Sequence, residues 1–226
     1  MCGRFTLIDS GQLVLDEFGL PALPPEYRPR YNAAPGQPVL VVREGGNGRT
    51  AAMFRWGLVP SWAKDPSIGY KMINARSETL RERPAFRRAF ERRRCAVPAD
   101  GFYEWKRDGR TKTPYRFRLK SGGLFAFAAL WEEWRPPGGG ESLFTCTIVT
   151  TRPNSLVEKV HDRMPVMLRG MDLDRWLDPE LPPEAVQPLL IPFPAEEMEA
   201  YAVSSLVNSP RVDSAECVEP TGEVLA

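Results

Sequence analysis

Hydrophobic residues along this chain gather mostly in short, strand-length segments, broken by stretches of helical spacing. RFTL (4–7) predicts a short strand. Ser10 then caps a helix that runs through Leu13, Leu15 and Phe18 to Gly19. Residues 21–38 are proline-rich and predict an ordered loop. PVLVVRE (38–44) and AAMFRW (51–56) flank GGNG, the turn chemistry of a hairpin. A second loop, GLVPSWAKDPSIG, leads into KMINARSETL. Pro84 suits a first helical turn, and PAFRRAFERRR places Phe86, Ala89 and Phe90 on one face with its arginines mostly opposite.

The rest of the chain reads mainly as strands. RCAVPADGFYEWKR, TPYRFRLK, GLFAFAALWEEW and SLFTCTIVTT are separated by DGR, SGG and PPGGGE, all turn formers. NSLVEKV (154–160) predicts a short helix capped by Asn154, and HDRMPVML a strand after it. Two short acidic helices, MDLDRWL and PPEAVQPLL, precede a last strand, EAYAVSSLV. Successive strands joined by tight turns, without strict βαβ alternation, predict an α+β fold. Its core is a mainly antiparallel sheet or barrel with peripheral helices. No repeat or long linker divides residues 1–226, so one domain is expected.

Composition sharpens this picture only when it is read locally. No apolar run nears the roughly 18 residues of a membrane helix, and MCGRFTLIDS lacks the regions of a secretory signal. Four cysteines at 2, 95, 146 and 217, with no CxxC, favour a reducing cytoplasm. The net charge of +1 conceals an asymmetry. Residues 71–120 carry 16 basic and 6 acidic side chains, whereas 171–226 carry 2 and 12. Arg outnumbers Lys 24 to 6, which suits bidentate phosphate recognition. A solvated basic face balanced by an acidic one is the competing reading.

Few side chains offer chemistry. Once Met1 is removed, Cys2 would present a free α-amine beside a thiol. The amine, with an ordinary pKa of about 7.7–8.0, can form an imine with an aldehyde, and the thiol can close on it as a thiazolidine. His161 is the only histidine. Glu104, between Tyr103 and Trp105, would gain a raised pKa if buried, although strand alternation could equally turn it to solvent. Asn74 can donate and accept hydrogen bonds together. Trp62, with Arg4, Arg76 and the 81–94 arginines, could stack a base and hold phosphates, or Trp62 could simply anchor its loop. One histidine and scattered cysteines make a metal site unexpected, and no nucleotide-binding motif calls for a cofactor.

Taken in order, MCGRF, RYNAAPGQ, RWGLVPSWAK, INARSET, RRCAVPADGFYEW, HDRMPVML and AVSSLVN resemble the SRAP family. These are the SOS-response-associated, abasic-site-processing proteins, and the resemblance covers nearly the whole chain. It implies a monomer, cytoplasmic and nucleoid-associated when bound, that senses abasic sites in single-stranded DNA and crosslinks to them, with no membrane partner. By that resemblance Cys2 is the nucleophile, after removal of Met1 that the family is described as performing on itself. Asn74 orients the amine and the sugar, Glu104 protonates the sugar ring oxygen, and His161 assists proton transfer. Arg4, Arg76 and Trp62 match positions that grip phosphates and bases, while Asn32, Pro35 and Thr150 match positions lining the pocket. Ala63 departs from relatives that carry a second aromatic there. Two other readings stay open on the residues alone. One is an N-terminal-nucleophile cysteine peptidase or amidohydrolase acting on an amide; the other is a non-catalytic single-strand-binding module.

Overall fold

A computed structural model describes residues 2–225; Met1, whose removal the resemblance implies, lies outside them. The first half contains β1 (Phe5–Leu7), α1 (Gln12–Phe18), β2 (Arg30–Ala33), β3 (Pro38–Gly45), β4 (Gly48–Trp56), β5 (Asn74–Arg76), α2 (Pro84–Arg92), β6 (Arg94–Ala99) and β7 (Gly101–Asp108). The second contains β8 (Thr111–Leu119), β9 (Phe125–Trp134), β10 (Leu143–Thr151), β11 (Met164–Pro165), β12 (Met167–Leu168), α3 (Gly170–Leu177), α4 (Pro183–Val186), β13 (Met198–Val203) and β14 (Pro220–Leu225). The α+β expectation holds.

Two sheets carry the fold. The first runs β14-β13-β8-β7-β1-β2. The second contains a closed ring, because β10-β4-β3-β6-β9 returns to β10 through a β9–β10 ladder. Closure leaves no free edge within the ring. Strand alternation sorts its side chains into two sets. Val39, Val41, Phe54, Trp56, Val97 and Phe127 share a core with Phe5, Phe102 and Phe117 of the first sheet. Leu40, Val42, Ala96, Ala126, Ala128 and Leu130 point the other way, under α1, α2 and α3. The predicted face of α2 is the buried one: Phe86, Ala89 and Phe90 are covered, and Arg87, Arg88 and Arg92 are exposed.

Several elements differ from their sequence prediction for local reasons. RCAVPADGFYEWKR is two strands in two sheets. β6 pairs with β3 and β9, β7 with β1 and β8, and the chain crosses over at Asp100. One Asp100 oxygen accepts from Thr6 Oγ1 and, at 2.8 Å, from Arg116 Nη2; the other accepts from Ile8 N at 2.5 Å. The crossover needs a glycine beside it, since a Cβ on Gly101 would lie 2.8 Å from Arg116 Nε and 3.0 Å from Phe117 O. HDRMPVML forms only the two-residue β11 and β12. EAYAVSSLV ends as a strand at Val203 and continues as a 3₁₀ turn over Ser205–Asn208, where Ser204 caps by accepting from Leu206 N. The proline-rich loop hides β2, and Ser10 does not cap α1: Gly11 occupies that position and its N–H is bonded to Asp9 Oδ1 at 2.7 Å. NSLVEKV forms only a 3₁₀ turn over Val157–Lys159, and Asn154 closes the bend leading into it, its Oδ1 accepting from Leu156 N and Val157 N at 3.1 and 2.9 Å.

Part of the charge asymmetry cancels in three dimensions. Arg81 pairs with Glu184, and Arg118 with Glu199 at 2.7 Å, joining the basic middle of the chain to its acidic tail. Arg94 is buried and spent on the carbonyls of Phe90, Trp176, Asp178 and Leu181.

Candidate active site

Four chemically competent side chains come from four distant stretches to one edge of the inter-sheet core. Cys2 precedes β1 and is fully buried within that core. Asn74 begins β5, which runs parallel to β10 with Asn74 opposite Ile148. This places the Asn74 amide Nδ2 to donate to the Cys2 carbonyl at 2.8 Å. Glu104 lies on β7 two residues after Phe102, and alternation gives both the same side. Phe102 stacks on Phe117, and Glu104 sits opposite Tyr115. Glu104 is therefore only 3 % exposed, which decides the question strand alternation left open. Tyr103 faces the other way and donates to the carbonyls of Tyr31 and Cys217 at 2.7 and 3.2 Å.

Burial raises the Glu104 pKa to about 7, because desolvation disfavours the carboxylate. His161 Nε2 lies 3.9 Å from Glu104 Oε2, an ion-pair distance rather than a hydrogen bond. On the other ring nitrogen, Nδ1 accepts the Arg163 backbone N–H at 3.0 Å. An Asp162 oxygen also lies 3.0 Å from Nδ1, a contact that needs a proton on that nitrogen. Burial lowers the His161 pKa, which favours the neutral ring at pH 7. Where Nδ1 accepts the Arg163 N–H, the ring's proton is on Nε2, toward Glu104. Burial, with Glu104 second, pushes the Cys2 thiol well up. At neutral pH the sulfur is a thiol, not a thiolate. The site thus offers a donor, a carboxyl whose pKa is raised toward neutrality, a neutral imidazole and a protonated thiol. Its mouth is a cleft of about 510 Å³ lined by Glu104, Trp105, Arg107, Lys112, His161 and Asn208.

The other expected site residues fall into two kinds. Trp62 (61 % exposed) and Arg76 are presented to solvent. Ala63 is buried against Val59 and Trp134, so a stacking partner beside Trp62 is missing here. The remainder are engaged within the fold. Arg4 donates to the Val207 carbonyl, to Asn32 Oδ1 at 3.1 Å and to the Asn208 carbonyl at 3.2 Å. Asn32 is fully buried, and its Nδ2 contacts the carbonyls of Val207, Ser209 and Val212 at 2.7–3.2 Å. Thr150 is buried at the end of β10, where Arg163 Nη2 donates to its carbonyl at 2.7 Å. Arg163 also forks onto Glu78 at 2.7 and 3.0 Å. Pro35 is half-buried at the corner of an Ala34–Gln37 turn, followed by Gly36 at φ 83°, the Pro-Gly arrangement of a type II turn. The α2 arginines lie outside the strand ring, away from the Cys2 core, and are not part of this cleft.

Sequence reasoning missed Trp105, Arg107, Lys112 and Asn208. Trp105 Nε1 donates to Asn208 Oδ1 at 2.7 Å, holding the Ser205–Asn208 turn against β7. Their only sequence signal was proximity to Glu104 and membership of AVSSLVN. Among the described residues, no group of three or more His, Cys, Asp and Glu could hold a metal ion, and no helix is long and apolar enough to cross a membrane.

A buried Met-adjacent cysteine beside such a carboxyl–imidazole pair, on this two-sheet frame, defines a recognisable class. The SOS response associated peptidase (SRAP) family model matches residues 1–210, and the chain belongs to that family. It is 52 % identical over 223 residues to the abasic site processing protein YoqW of Bacillus subtilis, covering 97 % of this chain and 99 % of that one. The Xenopus tropicalis abasic site processing protein HMCES is 34 % identical over 224 residues, or 85 % of this chain and 66 % of the other. A crystal structure of a Bacteroides thetaiotaomicron protein superposes with a TM-score of 0.86 at 26 % identity, covering 97 % of this chain and all of that one.

Proposed function

We propose that this protein processes abasic sites in single-stranded DNA by forming a covalent thiazolidine crosslink through Cys2 after Met1 is removed. The observation that carries this reading is the convergence at Cys2: its carbonyl is held by Asn74, and its sulfur lies within electrostatic reach of Glu104, which faces His161. An abasic deoxyribose is partly a ring-closed hemiacetal. A proton from Glu104 to the ring oxygen opens it and frees the C1′ aldehyde. The Cys2 amine adds to that carbon, and the resulting carbinolamine loses its protonated hydroxyl as water to leave the imine. The thiol then adds to the imine carbon, its proton passing to the nitrogen directly or through His161. Aldehyde, amine and thiol give thiazolidine and one water. A carboxyl with a pKa near 7 can serve both as the acid and, after transfer, as the base.

The state of the thiol favours this reading over an amidohydrolase. Attack on an amide calls for a thiolate, and the burial that raises the Cys2 pKa opposes one. In the crosslinking order the amine attacks first, and the sulfur adds later to an activated carbon. Single-stranded DNA is the fitting substrate because an unpaired lesion needs no base flipping. The exposed Trp62 and Arg76 would meet the bases and phosphates beside it. Arg4, Asn32, Pro35 and Thr150 would act by shaping the wall. Removal of Met1 by the protein itself, a role in the SOS response and a monomeric, nucleoid-bound state belong to the same proposal.

The test is a denaturing gel of the protein with single-stranded DNA bearing one abasic site. A shifted band that survives denaturation, carries the mass of the strand and disappears in Cys2→Ala is expected. Undiminished crosslinking by Cys2→Ala would overturn the mechanism, and turnover of an amide substrate indifferent to DNA would favour the amidohydrolase.

A further inference from the structure

The cleft at Glu104 and His161 continues onto the β7–β8 hairpin, where Arg107 and Lys112 complete its wall. These two residues are direct partners in the ladder, Arg107 opposite Lys112. Like charges placed directly opposite one another destabilise a strand pair, and a neutral or acidic residue at either position would relieve that cost. The surrounding seven residues, 106–112, hold four basic side chains against the single acid Asp108. Further along β8, Arg118 does have a carboxylate, Glu199 of β13. Arg107 and Lys112 are exposed, and neither is engaged in an ion pair among the described residues. Arg107 is also close enough for its charge to act on His161, adding to the effect of burial. A cleft of about 510 Å³ is within the size range of small-ligand sites, about 300–1,000 Å³. Its lining joins the Glu104 carboxyl and the His161 imidazole to the Arg107 and Lys112 cations of the hairpin.

We infer that Arg107 and Lys112 form a phosphate seat for the DNA strand, binding the backbone phosphate next to the abasic nucleotide. This rests on the crosslinking reading above and extends it. With the phosphate held between the two cations, the neighbouring sugar is brought under Glu104 and His161, and the repulsion within the hairpin is relieved. The pair binds and positions; it takes no part in bond formation.

The experiment uses the whole protein and a fluorescent single strand carrying a tetrahydrofuran abasic analogue, which cannot react. Anisotropy gives the affinity of wild type and of Arg107→Gln/Lys112→Gln across a salt series. Losing the one seated phosphate should flatten the slope of log K against log salt by about 0.7 on single strands. A single neutral methylphosphonate is then walked through the positions flanking the analogue. Wild type should weaken at one flanking position, and the double variant should be indifferent to the same change. Removing the same number of charges from α2, as Arg87→Gln/Arg88→Gln, should leave the wild-type methylphosphonate pattern intact. The double variant should melt no lower than wild type, since an opposed like-charge pair has been removed. An unchanged slope together with a wild-type methylphosphonate pattern would overturn the seat. Binding to the unreactive analogue does not need the Cys2 chemistry. A wild type that fails to crosslink true abasic DNA therefore refutes the proposed function and leaves the seat to be judged on these binding data.

Discussion

Replacing Glu104 by Gln keeps size and hydrogen-bonding shape while removing the titratable proton, and its effect on stability should depend on pH. Burial moves the Glu104 pKa from 4.5 to about 7. Below pH 4.5, folded and unfolded chains both hold the proton, so the glutamate and the glutamine differ little. As pH rises past 4.5 the unfolded chain ionises while the folded one does not. Wild type loses stability at about 1.4 kcal/mol per pH unit until about pH 7, where the folded chain ionises too. The accumulated loss is about 3 kcal/mol, with little solvent screening to discount it because the side chain is 3 % exposed. Glu104→Gln should thus be equal to wild type near pH 4.5 and more stable by about 3 kcal/mol at pH 8.5. In a chain of this size that is a gain of roughly 6–12 °C in melting temperature. Urea titrations of both proteins at the two pH values measure it. Crosslinking measured in parallel should fall in the variant while salt-sensitive DNA binding persists. A stability difference that is the same at both pH values would refute the buried, proton-holding carboxyl, and equal loss of crosslinking and binding would make Glu104 purely structural.

Other perturbations read different parts of the structure. Asn74→Ala removes the bond to the Cys2 carbonyl. At about 1 kcal/mol for such a bond, it should slow crosslinking at saturating DNA about fivefold while lowering the melting temperature by only about 2–4 °C. Trp62→Ala, at an exposed position, should leave the fold intact and cost about 1–3 kcal/mol of single-strand affinity, the worth of one stacked base; unchanged anisotropy titrations would remove Trp62 from the interface. Gly101→Ala should lower stability by about 1–3 kcal/mol through its clash with Arg116 and the Phe117 carbonyl, and a wild-type urea midpoint would contradict that crowding. Cys2→Ser should still form an imine with abasic DNA, but without sulfur to close the thiazolidine. Its adduct should be trapped by borohydride and otherwise lost on heating.

The order of elements and the buried face of α2 could be read from the chain because both depend on local spacing. Phe86, Ala89 and Phe90 need only a helical period to share a side. β2 and β14 escaped notice since each is supported by partners far away in sequence: Arg30–Ala33 by β1, and Pro220–Leu225 by β13. Nothing local to Asp100 announced that one apparent strand would serve two sheets; the carboxylate's bonds to Thr6, Ile8 and Arg116 do that.

At the site, the sequence by itself determined which chemistries were affordable: one histidine, a cysteine next to the initiator Met, and a glutamate set among aromatics. Its recurring segments also marked the family. Tertiary structure decided which of the polar side chains in those segments converge on Cys2 and which are spent inside the fold. Asn32, Arg4 and Thr150 look as polar in the sequence as Asn74 and Glu104 do, yet their polar atoms are taken up by the 204–213 segment, by one another and by Arg163. The charge pattern changed meaning as well. The arginine-rich helix that stood out along the chain lies on the far side of the strand ring, whereas two inconspicuous cations on a hairpin line the cleft with Glu104 and His161. The physical reason is the same in each case. A side chain's polarity is a local property, but its burial, its partner and its pKa depend on which distant strands close around it.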